Sequence, residues 1–329
     1  DRSPATYPLH GAAEGGPVAM TGTAWARPQL TGTAWARLRL LAGAAILAGL
    51  LWRLGTGPVL AGLHRIDRWS LLAAAGLAAL GTICSAWRWR LIATSLGVGL
   101  TLPAAVAASY RAQFLNSTLP GGVLGDVHRG VRHGRAAGDL AGGLRAVAWD
   151  RAAGQLVQGA LALLVLFVFT SPVHSAMPLA GVLVLLTGLS MGWLGYRLRR
   201  RASRIGRLIR LLGSDVRRCR RAWPAVLLVS VPALASHLTT FLIAARTAGV
   251  TSSPARLLPL ALLVLLAMAL PLNVAGWGPR EGAAAWLFGA AGLGADRGLA
   301  TATVYGVLVL VASLPGALLT ARRKGLAGG

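Results

Sequence analysis

The chain has 329 residues, of which 55% are hydrophobic and only 13% are charged, and its net charge is +24. Apolar runs of about 20 residues match the thickness of the hydrocarbon core of a membrane, which excludes a soluble globular protein. The arginines fall in loops between these runs, the positive-inside pattern of a multi-pass membrane protein. The basic charge therefore indicates anionic lipid headgroups as partners and not nucleic acid.

The amino-terminal residues 1–37 are predicted to be disordered, because Pro, Gly and Thr are frequent and no apolar period appears. Met20 is a candidate translation start. A single transmembrane domain is expected over residues 38–324, with a short cytoplasmic tail at 325–329. Six full crossings would place both termini in the cytoplasm, and they are expected at residues 38–54, 71–86, 141–170, 177–196, 225–245 and 299–320.

Two segments between these spans have their own character. The second span ends in Trp87-Arg88-Trp89-Arg90, which is typical of an anchor at the cytoplasmic interface. The linker before that span is expected to lie at the membrane interface. Arginines alternate with apolar residues at helical spacing between residues 197 and 221, a pattern that predicts an amphipathic helix on the membrane surface.

Two further apolar stretches are interrupted by proline and glycine and then followed by charge. The first covers residues 103–119 and breaks over 116–129; the second covers residues 255–272 and breaks over 270–282. We expect each stretch to form a re-entrant or broken helical pair. Irregular backbone at membrane depth must be buried in protein or line a cavity. Interrupted helices in corresponding positions of two halves are typical of a substrate site.

Polar groups flank the first break. Asp126 and Arg129 lie three residues apart, and therefore on one face if a helix resumes there. The alternative is that Asp126 caps that helix and Arg129 faces the cytoplasm. A lipid headgroup could also be bound by side-chain amides and by backbone amides that cradle a phosphate, at Gln113, Asn116, Gly121, Gly122 and Gly125.

The second break is expected to open a helix with Gly278 as its N-cap and Pro279 at its first position. Arg280 and Glu281 follow, and Asn273 of the same break is a further candidate for substrate binding. An acid at the third position of a helix is ordinary helix-start chemistry. Charge after a long apolar run, however, usually faces a cavity or a partner. Both interpretations stay open for this pair.

A polar stripe opens the third span. Arg151, Gln155 and Gln158 are spaced i, i+4, i+7, which predicts a face that lines a groove, and Asp150 is expected to pair with a neighbouring arginine. The alternative is that Asp150 and Arg151 lie at the interface and only pair or snorkel there. His237, in the middle of the fifth span, is expected to bond a neighbouring helix, with a role in substrate binding as the alternative.

Enzyme signatures are missing from the sequence. It has no nucleotide-binding glycine loop with its lysine and no Cys/His cluster at metal-ligand spacing, so we expect neither a cofactor nor a metal. Cys84 lies in an apolar run and Cys219 in a basic loop, so a structural disulfide is not expected.

In their order and spacing, several of these motifs resemble the lysylphosphatidylglycerol synthase transmembrane family of flippase-like membrane proteins. The resemblance covers about residues 38–324. The family usually has Glu-Arg where Asp150-Arg151 stands. The matching stretches are Arg88-Trp89-Arg90-Leu91, Gln113-Phe114-Leu115-Asn116 with Leu119-Pro120-Gly121-Gly122, Gly125-Asp126 with Arg129, Asp150-Arg151, and Gly278-Pro279-Arg280-Glu281-Gly282.

This resemblance implies an all-α polytopic bundle in which two inward-dipping helical pairs, related by pseudo-symmetry, surround a headgroup-sized cavity. In two-part members of the family a soluble aminoacyl transferase domain follows the membrane part. Because the sequence ends at Gly329, we do not expect this chain to attach lysine to lipid.

The sequence thus favours a transporter of the bacterial inner membrane that moves a phospholipid or lipid-linked headgroup between leaflets. Arg129, Arg151 and Arg280 would contact its phosphate, because an arginine fork can bind two oxygens at once. The neighbouring carboxylates would orient these arginines or receive a cationic headgroup. The alternative is an enzyme or accessory subunit of phospholipid or polyprenyl-linked glycan synthesis. A second copy of the chain is a further candidate partner.

Overall fold

The computed structural model describes residues 52–119, 122–169, 204–268 and 278–321, and the isolated positions 48, 49, 190, 193, 196 and 197. Every regular element in these ranges is a helix, which confirms the all-α prediction. The segments predicted at 1–37 and 325–329, and most of the spans predicted at 38–54 and 177–196, lie outside the described residues.

The described α-helices are bounded as follows. They are α1 (Gly57–His64), α2 (Arg68–Ser95), α3 (Leu102–Thr118), α4 (Leu124–Ala136), α5 (Leu140–Val168), α6 (Arg204–Arg218), α7 (Trp223–Thr247), α8 (Pro254–Ala267), α9 (Pro279–Ala290), α10 (Ala295–Ser313) and α11 (Pro315–Ala321). A short 3₁₀ turn, Cys219–Arg221, joins α6 to α7.

Within the described residues, α2, α5, α7 and the combined α10–α11 segment are long and apolar enough to cross a membrane. They correspond to four of the six predicted crossings. The two interrupted stretches form pairs of shorter helices, α3 with α4 and α8 with α9. Helix α6 lies inside the segment that was predicted to be amphipathic, and its leucines Leu208, Leu211 and Leu212 are exposed.

The end of the second span differs from its prediction. Helix α2 continues to Ser95, nine residues past the predicted end, and it stops at Gly97, whose φ is 85°. Arg88 and Trp89 are therefore inside the helix and buried, and the Trp-Arg-Trp-Arg motif is not simply an interfacial anchor. A helix within a membrane can contain a charged side chain where that side chain is paired inside the protein. The linker before α2 is also partly helical, as α1, which packs on α10.

The described helices form two four-helix units of the same order. Each unit has a long helix, two short helices separated by a break, and a second long helix: α2–α5 in the first unit and α7–α10 in the second. Nearly every contact that involves the first unit has its counterpart in the second. Thus α4 packs on α5 as α9 packs on α10, and α3 packs on α10 as α8 packs on α5. The two halves are pseudo-symmetric in their packing, as in transporters built from internal repeats.

Matching turns end the first helix of each unit. Gly97 and Gly249 have φ values of 85° and 84°, a conformation that glycine adopts without strain. The amides of the following residues, Val98 and Val250, each donate to the carbonyl five residues earlier at 2.9 Å. Both helices therefore close with the same C-terminal cap.

Close helix contacts also repeat between the units. A Cβ added at Gly143 of α5 would lie 2.6 Å from the backbone nitrogen of Gly134 in α4. The matching position in the second unit, 155 residues later, is Gly298 of α10, where a Cβ would lie 2.7 Å from the carbonyl carbon of Ala284 in α9. Small residues let membrane helices approach this closely.

Replacing Gly298 by alanine should destabilise the protein by about 1–3 kcal/mol, because the added methyl group must force α9 and α10 apart. Gly159→Ala is the matched control, since nothing lies within 4 Å of its Cβ position. That control should leave the stability unchanged or raise it by up to about 1 kcal/mol, because alanine favours a helix over glycine. Unfolding of both variants by denaturing detergent in mixed micelles measures the difference, and equal stability would contradict the tight contact.

Candidate functional site

A cavity of about 390 Å³ lies between the described residues that flank the two breaks. Asn116 and Gly122 reach it from the first break, and Met268 and Arg280 reach it from the second. Residues of α2, α5, α7 and α10 complete its walls. Its volume is in the range of small-molecule sites in proteins.

Asp150 of α5 joins three helices in the wall of this cavity. Its Oδ1 accepts a hydrogen bond from Nε of Arg88 in α2 at 2.7 Å, and its Oδ2 accepts from Nη2 of Arg129 in α4 at 2.6 Å. All three residues are buried. The expectation that Asp150 pairs with a neighbouring arginine is confirmed.

The guanidinium of Arg88 packs against Gly154 of α5. A Cβ at Gly154, one turn after Asp150, would lie 3.1 Å from Nη2 of Arg88, so a larger residue would crowd the ion pair. Nη1 of Arg88 also donates to the hydroxyl of Ser230 in α7 at 3.3 Å. The sequence prediction did not include Arg88 or Ser230 in the site. A signal was present, because Thr82, Ser85 and Arg88 lie at helical spacing, and all three line the cavity.

Asp126 is the second carboxylate of the network. Its Oδ1 pairs with Nε of Arg129 at 2.9 Å, while Oδ2 accepts from the side-chain amide of Asn116 at 2.9 Å and from Arg151. The other end of the Asn116 amide accepts from the backbone N–H of Gly125 at 2.8 Å. Asn116, near the end of α3, therefore joins α3 to the start of α4 across the first break.

The helix after the first break resumes as predicted, with Asp126 and Arg129 on one face. The alternative interpretation is wrong, because Val123 holds the N-cap position and Arg129 is only 5% exposed. Three further candidates line the cavity: Gln113, Gly122 and Gln155. The side-chain oxygen Oε1 of Gln113 accepts a hydrogen bond from the Thr82 hydroxyl at 3.1 Å. The candidates Gly121 and Asn273 lie outside the described residues.

Helix α9 begins as predicted, with Gly278 as its N-cap at a φ of 123° and Pro279 at its first position. The carboxylate of Glu281 accepts from the Gly278 amide at 2.7 Å and from Nε of Arg280 at 2.8 Å. Both side chains are buried. The helix-start interpretation is therefore confirmed, and Arg280 also lines the cavity.

An aromatic group connects this pair to α7. The Arg280 guanidinium lies 5.5 Å from the ring centre of Tyr305 in α10, and the Tyr305 hydroxyl lies 3.0 Å from Nδ1 of His237. The expectation that His237 bonds a neighbouring helix is confirmed. His237 also lines the cavity, as does Tyr305, which the sequence prediction missed.

The charges around the cavity do not cancel. Among the residues that the structure describes, four arginines face three carboxylates, which leaves one positive charge when His237 is neutral: Arg88, Arg129, Arg151 and Arg280 against Asp126, Asp150 and Glu281. The side chain of Arg151 is 50% exposed, whereas the other three arginines are at most 10% exposed. Arg151 therefore presents the excess charge to the cavity.

Comparison with known proteins gives one family. The model described as the lysylphosphatidylglycerol synthase transmembrane region matches residues 39–316. This range contains α1 to α10 and both breaks. No curated protein matches the chain.

Asp150→Asn should destabilise the protein by about 3–5 kcal/mol, because it leaves two buried arginines without their shared carboxylate. The control is Asp296→Asn, an exposed carboxylate in the first turn of α10, which should cost less than about 1 kcal/mol. Unfolding in mixed micelles measures both. A loss in Asp150→Asn no larger than in the control would show that the junction contributes little to stability.

Proposed function

Because the chain belongs to the lysylphosphatidylglycerol synthase transmembrane family, we propose that it moves a phospholipid or lipid-linked molecule with an anionic phosphate headgroup between the leaflets of the membrane. One observation carries the proposal: two interrupted helical pairs meet in one cavity with an excess positive charge. Transporters place substrate sites at such breaks between repeated units.

The charge of the cavity supports an anionic substrate. A phosphodiester carries one negative charge, and a cavity with one excess positive charge would become neutral when it is bound. This lowers the cost of holding the phosphate at membrane depth, where an unpaired charge is expensive. The headgroup would lie in the cavity while the acyl chains stay in the hydrocarbon of the bilayer.

Arg151 is the residue proposed to contact the phosphate. A guanidinium has five N–H donors in a planar fork, and within the described ranges that of Arg151 is hydrogen-bonded to Asp126 alone. Its exposed donors can therefore reach two phosphate oxygens. Arg88 and Arg129 are held on Asp150, and in the proposed function they set the potential of the site and orient the helices around it.

The proposed location is the bacterial inner membrane with both termini in the cytoplasm, which the arginine-rich loops between the apolar runs favour. Movement of the headgroup across the membrane would require the two units to rotate against each other, so that the cavity opens to each leaflet in turn.

Liposomes with fluorescent phosphatidylglycerol test this function, because dithionite bleaches only the label of the outer leaflet. The wild-type chain should accelerate the exchange between leaflets. Arg151→Gln should slow it at least about tenfold, since a hydrogen bond to a charged group contributes about 1.5–3 kcal/mol. Arg90→Gln is the control, because Arg90 is exposed and does not line the cavity.

Equal rates in Arg151→Gln and in the wild type would contradict the assignment of this cavity as the headgroup site. A folded wild-type protein that moves neither phosphatidylglycerol nor a lipid-linked phosphate would contradict the transport function itself.

A further inference from the structure

His237 has an arrangement that the binding of a phosphate does not by itself require. It is exposed to the cavity, and its Nδ1 is held by the hydroxyl of Tyr305, which is 1% exposed. The ring of Tyr305 packs in turn against the ring of Phe241, with 5.7 Å between the two ring centres, and against the Arg280 guanidinium. Among the described residues, Nε2 of His237 has no hydrogen-bond partner. The ring is thus fixed on one side and open on the other.

Charged and titratable side chains on the helices packed against α7 determine the electrostatic environment of His237. The helices packed on α7 are α2, α5, α8 and α10. Helix α8 contributes no such group, because its Arg256 is exposed and donates to the carbonyl of Ala291. The 3₁₀ turn packed on the start of α7 is about 20 Å away at 1.5 Å per residue. The facing groups are Arg88, Asp150, Arg151 and Tyr305, with Asp126, Arg129, Arg280 and Glu281 around the same cavity.

We propose that His237 is a proton-binding site, and that it takes up a proton when an anionic headgroup enters the cavity. This inference rests on the proposed function, because it assigns a second, coupled ligand to the same site. The protonated ring carries hydrogen on both nitrogens. Nδ1–H then donates to the Tyr305 hydroxyl oxygen, and Nε2–H is directed to the headgroup. The proton comes from water in the cavity.

The coupling follows from the charges. The empty cavity already has one excess positive charge, so a proton on His237 adds a second and is opposed by the arginines. A bound phosphodiester removes this opposition. Headgroup binding and proton binding must therefore strengthen each other by the same factor. Among the side chains, histidine is the one whose ordinary pKa is closest to physiological pH, so it is suited to gain a proton when the opposing charge is removed. A proton gradient could then drive an anionic lipid across the membrane.

Calorimetric titration of the detergent-solubilised chain with dihexanoyl phosphatidylglycerol tests the coupling. The phosphodiester keeps its single charge between pH 5.5 and pH 8.5, so the lipid itself does not titrate. We expect the affinity to fall about tenfold as the pH rises through this range. The heat of binding should also depend on the ionisation enthalpy of the buffer, because protons are taken up with the lipid.

Three variants locate the proton. His237→Gln should bind at every pH with the affinity that the wild type has at high pH. His237→Arg, which carries a fixed charge, should bind at every pH with the affinity that the wild type has at low pH. His128→Gln, an exposed histidine outside the cavity, should behave as the wild type. Elution and melting profiles verify that each variant is folded.

The outcomes separate the two proposals. Wild-type binding that is independent of pH and of the buffer would overturn the coupling and leave the headgroup site in place. A wild-type pH dependence that persists in His237→Gln would overturn the assignment to His237. A folded wild-type chain that fails to bind phosphatidylglycerol at any pH would overturn the proposed headgroup site, and the coupling with it.

Discussion

The organisation of the cavity depends on the buried carboxylate of Asp150, because its two oxygens are shared by arginines from two other helices. An isolated ion in the interior of a membrane protein costs several kcal/mol, and only close pairing offsets that cost. Arg129 extends the network by pairing with Asp126 as well, and Asp126 binds Arg151. This chain of ion pairs fixes α4 against α5. Because α4 begins directly after the first break, the same contacts determine where the break lies and how the cavity opens.

The two units repeat in fold but not in chemistry. The positions of Asp126 and Asp150 in the first unit correspond, 155 residues later, to Glu281 and Tyr305 in the second. The first unit therefore supplies the excess charge, through Arg151, while the charged groups that the second unit places at the cavity, Arg280 and Glu281, cancel within one pair. The second unit supplies Tyr305 and the imidazole of His237, which is hydrogen-bonded to the Tyr305 hydroxyl. A cavity between two such units combines a fixed positive charge on one side with a group that can gain a proton on the other.

The parts of the structure that could be predicted from sequence are those with a local signal. Long apolar runs predict their own helices, and charge within such runs indicated Asp126 and Arg151 as cavity residues. Pairing partners had no such signal. Arg88 stands beside tryptophans at the end of an apolar run, as an interfacial anchor would, and its carboxylate is 62 residues away in the chain. Asn116 is expected to bind a headgroup, and its bonds to the amide of Gly125 and the carboxylate of Asp126, nine and ten residues later in the chain, had no sequence signal.

Whether the cavity is a water-accessible site for an anionic headgroup is tested most directly by thiol labelling at two neighbouring positions of α5. Gln155 and Leu156 lie at the same depth and are both exposed, but only Gln155 lines the cavity. In a background without Cys84 and Cys219, Gln155→Cys should react with a membrane-impermeant maleimide, and phosphatidylglycerol should protect it more than phosphatidylcholine does. Leu156→Cys should not react, because Leu156 is exposed outside the cavity on an apolar helix that is long enough to cross the membrane, where lipid would surround it. A Gln155→Cys that is as inert as Leu156→Cys, or that phosphatidylglycerol does not protect, would contradict a headgroup site at the junction of the two breaks.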